Sequence, residues 1–215
     1  MNSSKPVPAA HEARHSVRII GGSWRGRRVR FPDLPTLRPT PDRVRETLFN
    51  WLQQDVAGAR CMDLFAGSGA LGLEALSRGA RECVFVEQAQ AAARALTENL
   101  RQMGGAARGR VMEMGAARFL RPAAGSTGAP APDPGGAAFD IVFLDPPYGE
   151  AALDRYVPLL DAGGWVRAGS LVYLESERAA GPPAVPAGWE LLRSKFAGEV
   201  GYHLARAKAA TSGHS

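Results

Sequence analysis

Cysteine is scarce in this chain: two residues in 215, Cys61 and Cys83, both inside apolar runs. Two such thiols build neither a disulfide framework nor a metal centre, and they suit a reducing compartment. Long apolar runs are missing too. Stretches such as Ile141 to Leu144 end after a few residues, so no segment can span a bilayer, and no membrane partner is expected. The opening MNSSKPVPAAHEARH lacks the apolar core of a secretory signal and reads as a disordered tail of a soluble cytoplasmic protein. Histidine is rare, and His11, His15, His203 and His214 lie near the chain ends. Lysine occurs three times against 23 arginines.

With 45% hydrophobic and 22% charged residues, the composition suits one globular domain with a full-sized core. The 25 glycines and 16 prolines imply generous loops. The net charge of +5 is unevenly placed: residues 14–45 hold nine arginines and two aspartates, so the remainder sums to −2. A basic segment on a slightly acidic body is the pattern of a polyanion-binding attachment.

Residues 17–31, VRIIGGSWRGRRVRF, read as a hairpin around a turn-rich tip at Gly22 to Gly26. A proline-punctuated linker runs to Pro39. A helix is then expected with Thr40 as N-cap, Pro41 at its first position and Asp42 in the positive first turn. Its apolar face is Val44, Leu48 and Leu52. From residue 60, strands at 60–66, 82–87, 109–113, 139–145 and 169–174 alternate with helices at 70–78, 89–103, 115–120 and 150–161. That alternation predicts a mostly parallel sheet covered on both faces. Residues 122–138 form a low-complexity insertion. Trp189 to Arg206 reads as two strands turning at Ala197-Gly198, an antiparallel edge.

Two motifs carry chemistry. The run Asp63-Leu64-Phe65-Ala66-Gly67-Ser68-Gly69-Ala70-Leu71-Gly72 places G-x-G-x-x-G between a strand and a helix. Glycines there allow close backbone approach to a ligand, and Glu87 ends the next strand where a carboxylate can accept from ribose hydroxyls. A nicotinamide dinucleotide site shows the same spacing. Asp63 argues for S-adenosylmethionine, because a carboxylate beside the loop repels a pyrophosphate and attracts a cationic amino group and sulfonium. Second, the buried strand Phe139 to Leu144 ends in Asp145-Pro146-Pro147-Tyr148. Ligands bind beyond the carboxyl ends of such strands, so both motifs should face one crevice. Asp145 and the Pro146 carbonyl can accept the two N–H bonds of an amino group on a planar base. Pro147 stiffens the corner, and Tyr148 can stack on the base.

At these residues DLFAGSGALGLEALSRGA with DPPY resembles S-adenosylmethionine-dependent methyltransferases of exocyclic amines, DNA adenine-N6 enzymes among them. RIIGGSWRGR followed by RPTPDRVRETLFNWL is similar to the bacterial 16S ribosomal RNA guanine-N2 methyltransferases named for guanine 966, the RsmD family. The likeness spans residues 17–206 and includes VYLESE and the GYHL region. It implies a Rossmann-like α/β fold with a seven-stranded, mostly parallel sheet and an N-terminal β-hairpin extension that docks on RNA. The implied division is a disordered tail at 1–16 and a basic hairpin and linker at 17–39. The methyltransferase domain covers 40–206, and a second disordered tail 207–215.

The resemblance implies that Asp63, Phe65, Gly67 and Gly69 line the cofactor site and that Glu87 binds its ribose. The helix after Thr40 would lie beside the cofactor, which adds Thr40, Arg43 and Glu46. Arg18, Trp24, Arg25, Arg27, Arg28 and Arg30 form the expected RNA-contact set, with Trp24 as an aromatic platform. The partner implied is 16S RNA, within a partly assembled 30S subunit, and the protein is expected to be a monomer. Family members often carry Asp or Asn near the third strand's end to contact the adenine; the matching position here is Gly115, with Glu113 close by.

Overall fold

The structure, a computed structural model, describes residues 15–34, 37, 39–121, 138–147 and 152–208. Alternating strands and helices order themselves as the sequence pattern requires. The elements are β3 (Arg60–Asp63), α2 (Ala70–Ser77), β4 (Glu82–Glu87), α3 (Gln90–Gln102), β5 (Gly109–Glu113), α4 (Ala116–Phe119), β6 (Phe139–Leu144), α5 (Ala152–Ala162) and β7 (Val166–Glu177). β8 (Trp189–Ala197) and β9 (Val200–Ala207) complete a seven-stranded sheet in the order β5-β4-β3-β6-β7-β9-β8. Strand order reverses between β3 and β6, the switch point beside which doubly wound sheets bind ligands. Two apolar layers cover the sheet. One holds Leu48, Phe49, Leu73, Leu96 and Phe143; the other holds Met62, Leu64, Phe119, Leu160 and Trp165.

Several local expectations shift. β3 stops at Asp63 instead of continuing to residue 66, because the backbone there turns into the glycine loop. β7 starts earlier and ends later than expected. It runs past a register irregularity near Gly169 (φ 92°), where the Ser170 hydroxyl donates to the Phe139 carbonyl at 2.6 Å. The two terminal strands form the expected antiparallel edge, with β9 inserted between β7 and β8; its residues are buried where those of β8 are mostly exposed. Ser16 belongs to the hairpin and Ala207 to β9, so both ordered ends reach beyond the expected limits. The remaining tail residues and nearly all of the 122–138 insertion lie outside the described residues. Among the described residues no helix is long and apolar enough to cross a membrane.

The hairpin pairs β1 (Ser16–Arg18) with β2 (Arg28–Arg30) and packs on the sheet domain. Two three-residue strands cannot stand alone in water. Docking is polar at its centre. Glu74 of α2, fully buried, accepts the Ile20 N–H at 2.8 Å and the Gly21 N–H at 2.7 Å. A Cβ at Gly22 (φ 75°) would overlap the Ser77 carbonyl, so only glycine admits this approach. α1 (Asp42–Trp51) supplies the counter-charge. Its Arg45, also fully buried, lies 3.5 Å from Glu74 and donates to the carbonyls of Arg18 (2.9 Å) and Thr40 (3.2 Å).

Without Arg45, Glu74 keeps the Arg78 guanidinium at 2.8 Å, but the Arg18 and Thr40 carbonyls each lose a charged donor. Arg45→Met should therefore cost about 2–3 kcal/mol in urea unfolding. It should also accelerate amide exchange at Ile20 and Gly21 ahead of the sheet strands.

Candidate active site at the carboxyl ends of the strands

The glycine loop is held by carboxylates from two strands. Gly67 (φ 51°) and Gly69 (φ 76°) adopt left-handed backbone, which glycine reaches without the strain of a side chain. Asp63, at the end of β3, accepts the Gly72 N–H at 3.0 Å and so satisfies an orphan donor in the first turn of α2. Glu87, at the end of β4, accepts the Gly67 N–H at 2.8 Å and the Ala89 N–H at 2.6 Å. Leu37 of the linker lies against Gly67, 3.7 Å from where a Cβ would stand. Phe65 is half-buried and meets Tyr156 edge-on at 5.0 Å.

Asp145 follows β6 directly, and the β6–β7 register sets it beside Glu175. The Thr40 hydroxyl donates to its carboxylate at 3.2 Å. Thr40 is thus not the N-cap of α1. Its side chain is turned to the sheet, and Pro41 holds the cap position, its carbonyl accepting the Val44 and Arg45 N–H groups. Pro146 is buried and Pro147 exposed, while Tyr148 lies outside the described residues. Glu175, buried on β7, accepts the Tyr173 hydroxyl at 2.8 Å.

Three carboxylates therefore cluster at the ends of β3, β6 and β7. Burial pushes the Asp63 carboxyl up to about 7; the Gly72 N–H opposes the rise and Glu87 adds to it. Asp145 is held well above the usual carboxylate range by desolvation first, then by Glu175 and Asp63, with the Thr40 hydrogen bond acting the other way. Such a pocket disfavours further negative charge and favours a cation.

The remaining expected residues are placed differently. Arg43 and Glu46 are exposed, and Glu46 lines a cleft with Arg18, Arg25 and Asp42 instead of the glycine loop. Gly115 precedes α4, Glu113 is exposed, and the Gln88 carboxamide oxygen would stand 3.4 Å from a Cβ at Gly115. Among the hairpin cations, Arg18 lies 3.9 Å from Asp42. Arg27 donates to the Gln102 carbonyl at 2.6 Å and Arg28 to the Ser16 hydroxyl at 3.0 Å. Arg25 and Arg30 are exposed. Trp24 requires correction as an exposed platform. It is 6% accessible, packs over Gly105 and receives the Arg108 guanidinium at 5.3 Å, so it anchors the hairpin to the core.

Sequence reasoning passed over Arg45, Glu74 and the contact between Thr40 and Asp145. An arginine beside Val44 on the buried side of α1 and a glutamate inside the apolar ALGLEALS were the available signals.

The strand order, the glycine loop at the switch point and the Asp-Pro-Pro corner beside it define a Rossmann-like methyltransferase fold, of the class that uses S-adenosylmethionine. Within that class the chain belongs to the family described as conserved hypothetical protein 95, whose profile matches residues 17–206. It is 45% identical over 199 residues to ribosomal RNA small subunit methyltransferase D of Escherichia coli K12, covering 93% of this chain and 94% of that protein. The Haemophilus influenzae protein of the same name is 39% identical, covering 89% and 94%. The solved structure of Escherichia coli yhhF superposes with a TM-score of 0.78 at 43% identity, covering 90% of this chain and 99% of that one.

Two outcomes are expected. Folding raises the Asp63 pKa from about 4 to about 7, so between those values the native state holds a proton that the unfolded chain has lost. Stability from this group then falls as pH rises from about 4 to about 7 and levels off above. Asp63→Asn should flatten that slope in urea unfolding measured across the range. Trp24→Ala should lower stability by about 3–5 kcal/mol, as for a core aromatic, measurable without RNA.

Proposed function

We propose that the protein transfers a methyl group from S-adenosylmethionine to the N2 amine of a guanine in 16S ribosomal RNA, guanine 966, in the cytoplasm. The substrate would be a partly assembled 30S subunit, and the enzyme would act as a monomer. The observation that carries this reading is the parallel register of β3 with β6, Asp63 opposite Phe143, which puts the glycine loop and the Asp-Pro-Pro corner at neighbouring strand ends. The relatives named as small subunit methyltransferases support the substrate.

The donor set fits the cofactor. Backbone N–H groups of the loop are already taken by Asp63 and Glu87, which leaves little for a pyrophosphate, whereas the carboxylates suit a cationic amino acid. When bound, S-adenosylmethionine supplies an electrophilic methyl on a sulfonium. Glu87 would face the ribose hydroxyls, and Asp63, Phe65, Gly67 and Gly69 the rest of the nucleoside.

Guanine N2 is a weak nucleophile because its lone pair is delocalised into the ring. Asp145 and the Pro146 carbonyl would accept its two N–H bonds, localising the lone pair on N2 and orienting the base. Thr40 holds one Asp145 oxygen, which orients the other. Asp145, within hydrogen-bond reach of N2 in this pose, would take the proton that leaves it; burial first, then Glu175 and Asp63, raises its affinity for that proton. Tyr148 would stack on the extruded base. Arg18, Arg25, Arg27, Arg28 and Arg30 would meet phosphates.

Other readings have weaker support. A hydride-transfer enzyme needs an acid or base at the crevice. Of the described histidines, His203 sits between Ser194 (2.8 Å) and Ser176 (3.5 Å), and His15 lies by Asp33 (3.5 Å) in the hairpin region. A non-catalytic RNA-binding module has no use for the carboxylate cluster. A DNA adenine-N6 methyltransferase shares the chemistry but calls for a larger target-recognition segment.

The deciding experiment offers labelled S-adenosylmethionine with unmethylated small subunits, their naked RNA and duplex DNA, followed by nucleoside mass analysis. N2-methylguanosine from the subunit or its RNA is expected; label only as N6-methyladenosine in DNA would overturn the reading. Asp145→Ala should abolish turnover while largely sparing cofactor affinity in calorimetry.

A further inference from the structure

Between the hairpin and the start of α1 lies a cleft of about 240 Å³, lined by Arg18, Ile19, Ile20, Arg25, Asp42 and Glu46. Its charges are mixed, but they are not mutually satisfied. Arg18 and Asp42 approach to 3.9 Å, whereas Arg25 and Glu46 are exposed and have no ion pair or side-chain hydrogen bond with any described residue. A cation and a carboxylate that share a cleft without meeting leave room for a ligand that offers an acceptor to one and a donor to the other.

The cleft is built, not incidental. The Ile19 N–H donates to the Arg27 carbonyl and the Gly26 N–H to the Ile19 carbonyl, both at 2.9 Å, which fixes the hairpin wall. Arg45 fixes the floor from beneath: one guanidinium nitrogen donates to the Arg18 carbonyl at 2.9 Å and to Asp42 at 2.6 Å. The same guanidinium donates to the Thr40 carbonyl, and the Thr40 hydroxyl reaches Asp145. Cleft and Asp-Pro-Pro corner are therefore positioned by one buried side chain.

We propose that this cleft is a second nucleotide subsite. Glu46 accepts a hydrogen bond from the exocyclic amine of an unstacked base near the methylated guanine, and Arg25 holds a phosphate of the same strand. Unstacked RNA bases are read on their hydrogen-bonding edges, and a carboxylate selects amino-bearing bases over uracil. The inference rests on the reading that the substrate is RNA, and it adds a discrimination step beside the target site.

The test uses small subunits reconstituted with 16S RNA in which amino-bearing bases around the methylated guanine are replaced singly. Inosine stands in for guanosine, purine riboside for adenosine and uridine for cytidine. At one position the amine-free base should raise the wild-type KM about tenfold, the scale of a hydrogen bond to a charged group. Glu46→Leu should show a comparable KM on unmodified RNA and no further rise with that substitution. Arg25→Ala should weaken binding whatever the base and reduce the salt slope by about one. Equal base sensitivity in wild type and Glu46→Leu, or no sensitive position at all, overturns the subsite. Failure of wild type to methylate unmodified subunits overturns the functional reading itself, so the two failures are told apart in one series.

Discussion

The arrangement of this protein depends on a fully buried ion pair, Arg45 with Glu74. Glu74 closes the hairpin's backbone onto α2, and Arg45 ties the hairpin carbonyl of Arg18, the linker carbonyl of Thr40 and the first turn of α1 to that point. Buried pairs add little net stability, because desolvation consumes most of their attraction. What such a pair supplies is geometry. The hairpin, the Thr40 carbonyl and the first turn of α1 are thereby fixed to one point on α2.

The second organising feature is the concentration of carboxylates where three parallel strands end. Each acid is tolerated for a local reason: Asp63 caps α2, Glu175 receives the Tyr173 hydroxyl, and Asp145 receives Thr40. Burial raises the proton affinity of Asp63 and Asp145, and for Asp145 Glu175 and Asp63 add to it. A cluster of this kind disfavours an anion and favours a cation. Proton affinities raised in this way are common where a site is prepared for a charged ligand.

Much of this could be read along the chain. The alternation of strands and helices, the glycine loop and the Asp-Pro-Pro corner all depend on neighbours within a few residues, where periodicity and turn chemistry act directly. Thr40 illustrates the failure. Its place before a proline and an aspartate has every local mark of an N-cap, yet a partner 105 residues away takes its hydroxyl. Trp24 fails in the same way: among five neighbouring arginines it reads as an exposed nucleic-acid platform, but Gly105 opens a core position for it.

By itself, then, the sequence determined the layer architecture, the positions of the two motifs and the basic character of the hairpin, because these follow from short-range pattern and charge count. Only the tertiary structure decided which strand of the terminal hairpin lies inside the sheet and which carboxylates share a pocket. It also decided that Glu46 faces the hairpin arginines instead of the glycine loop. Those outcomes turn on long-range register and on the desolvation of particular charges, quantities that no local run of residues contains.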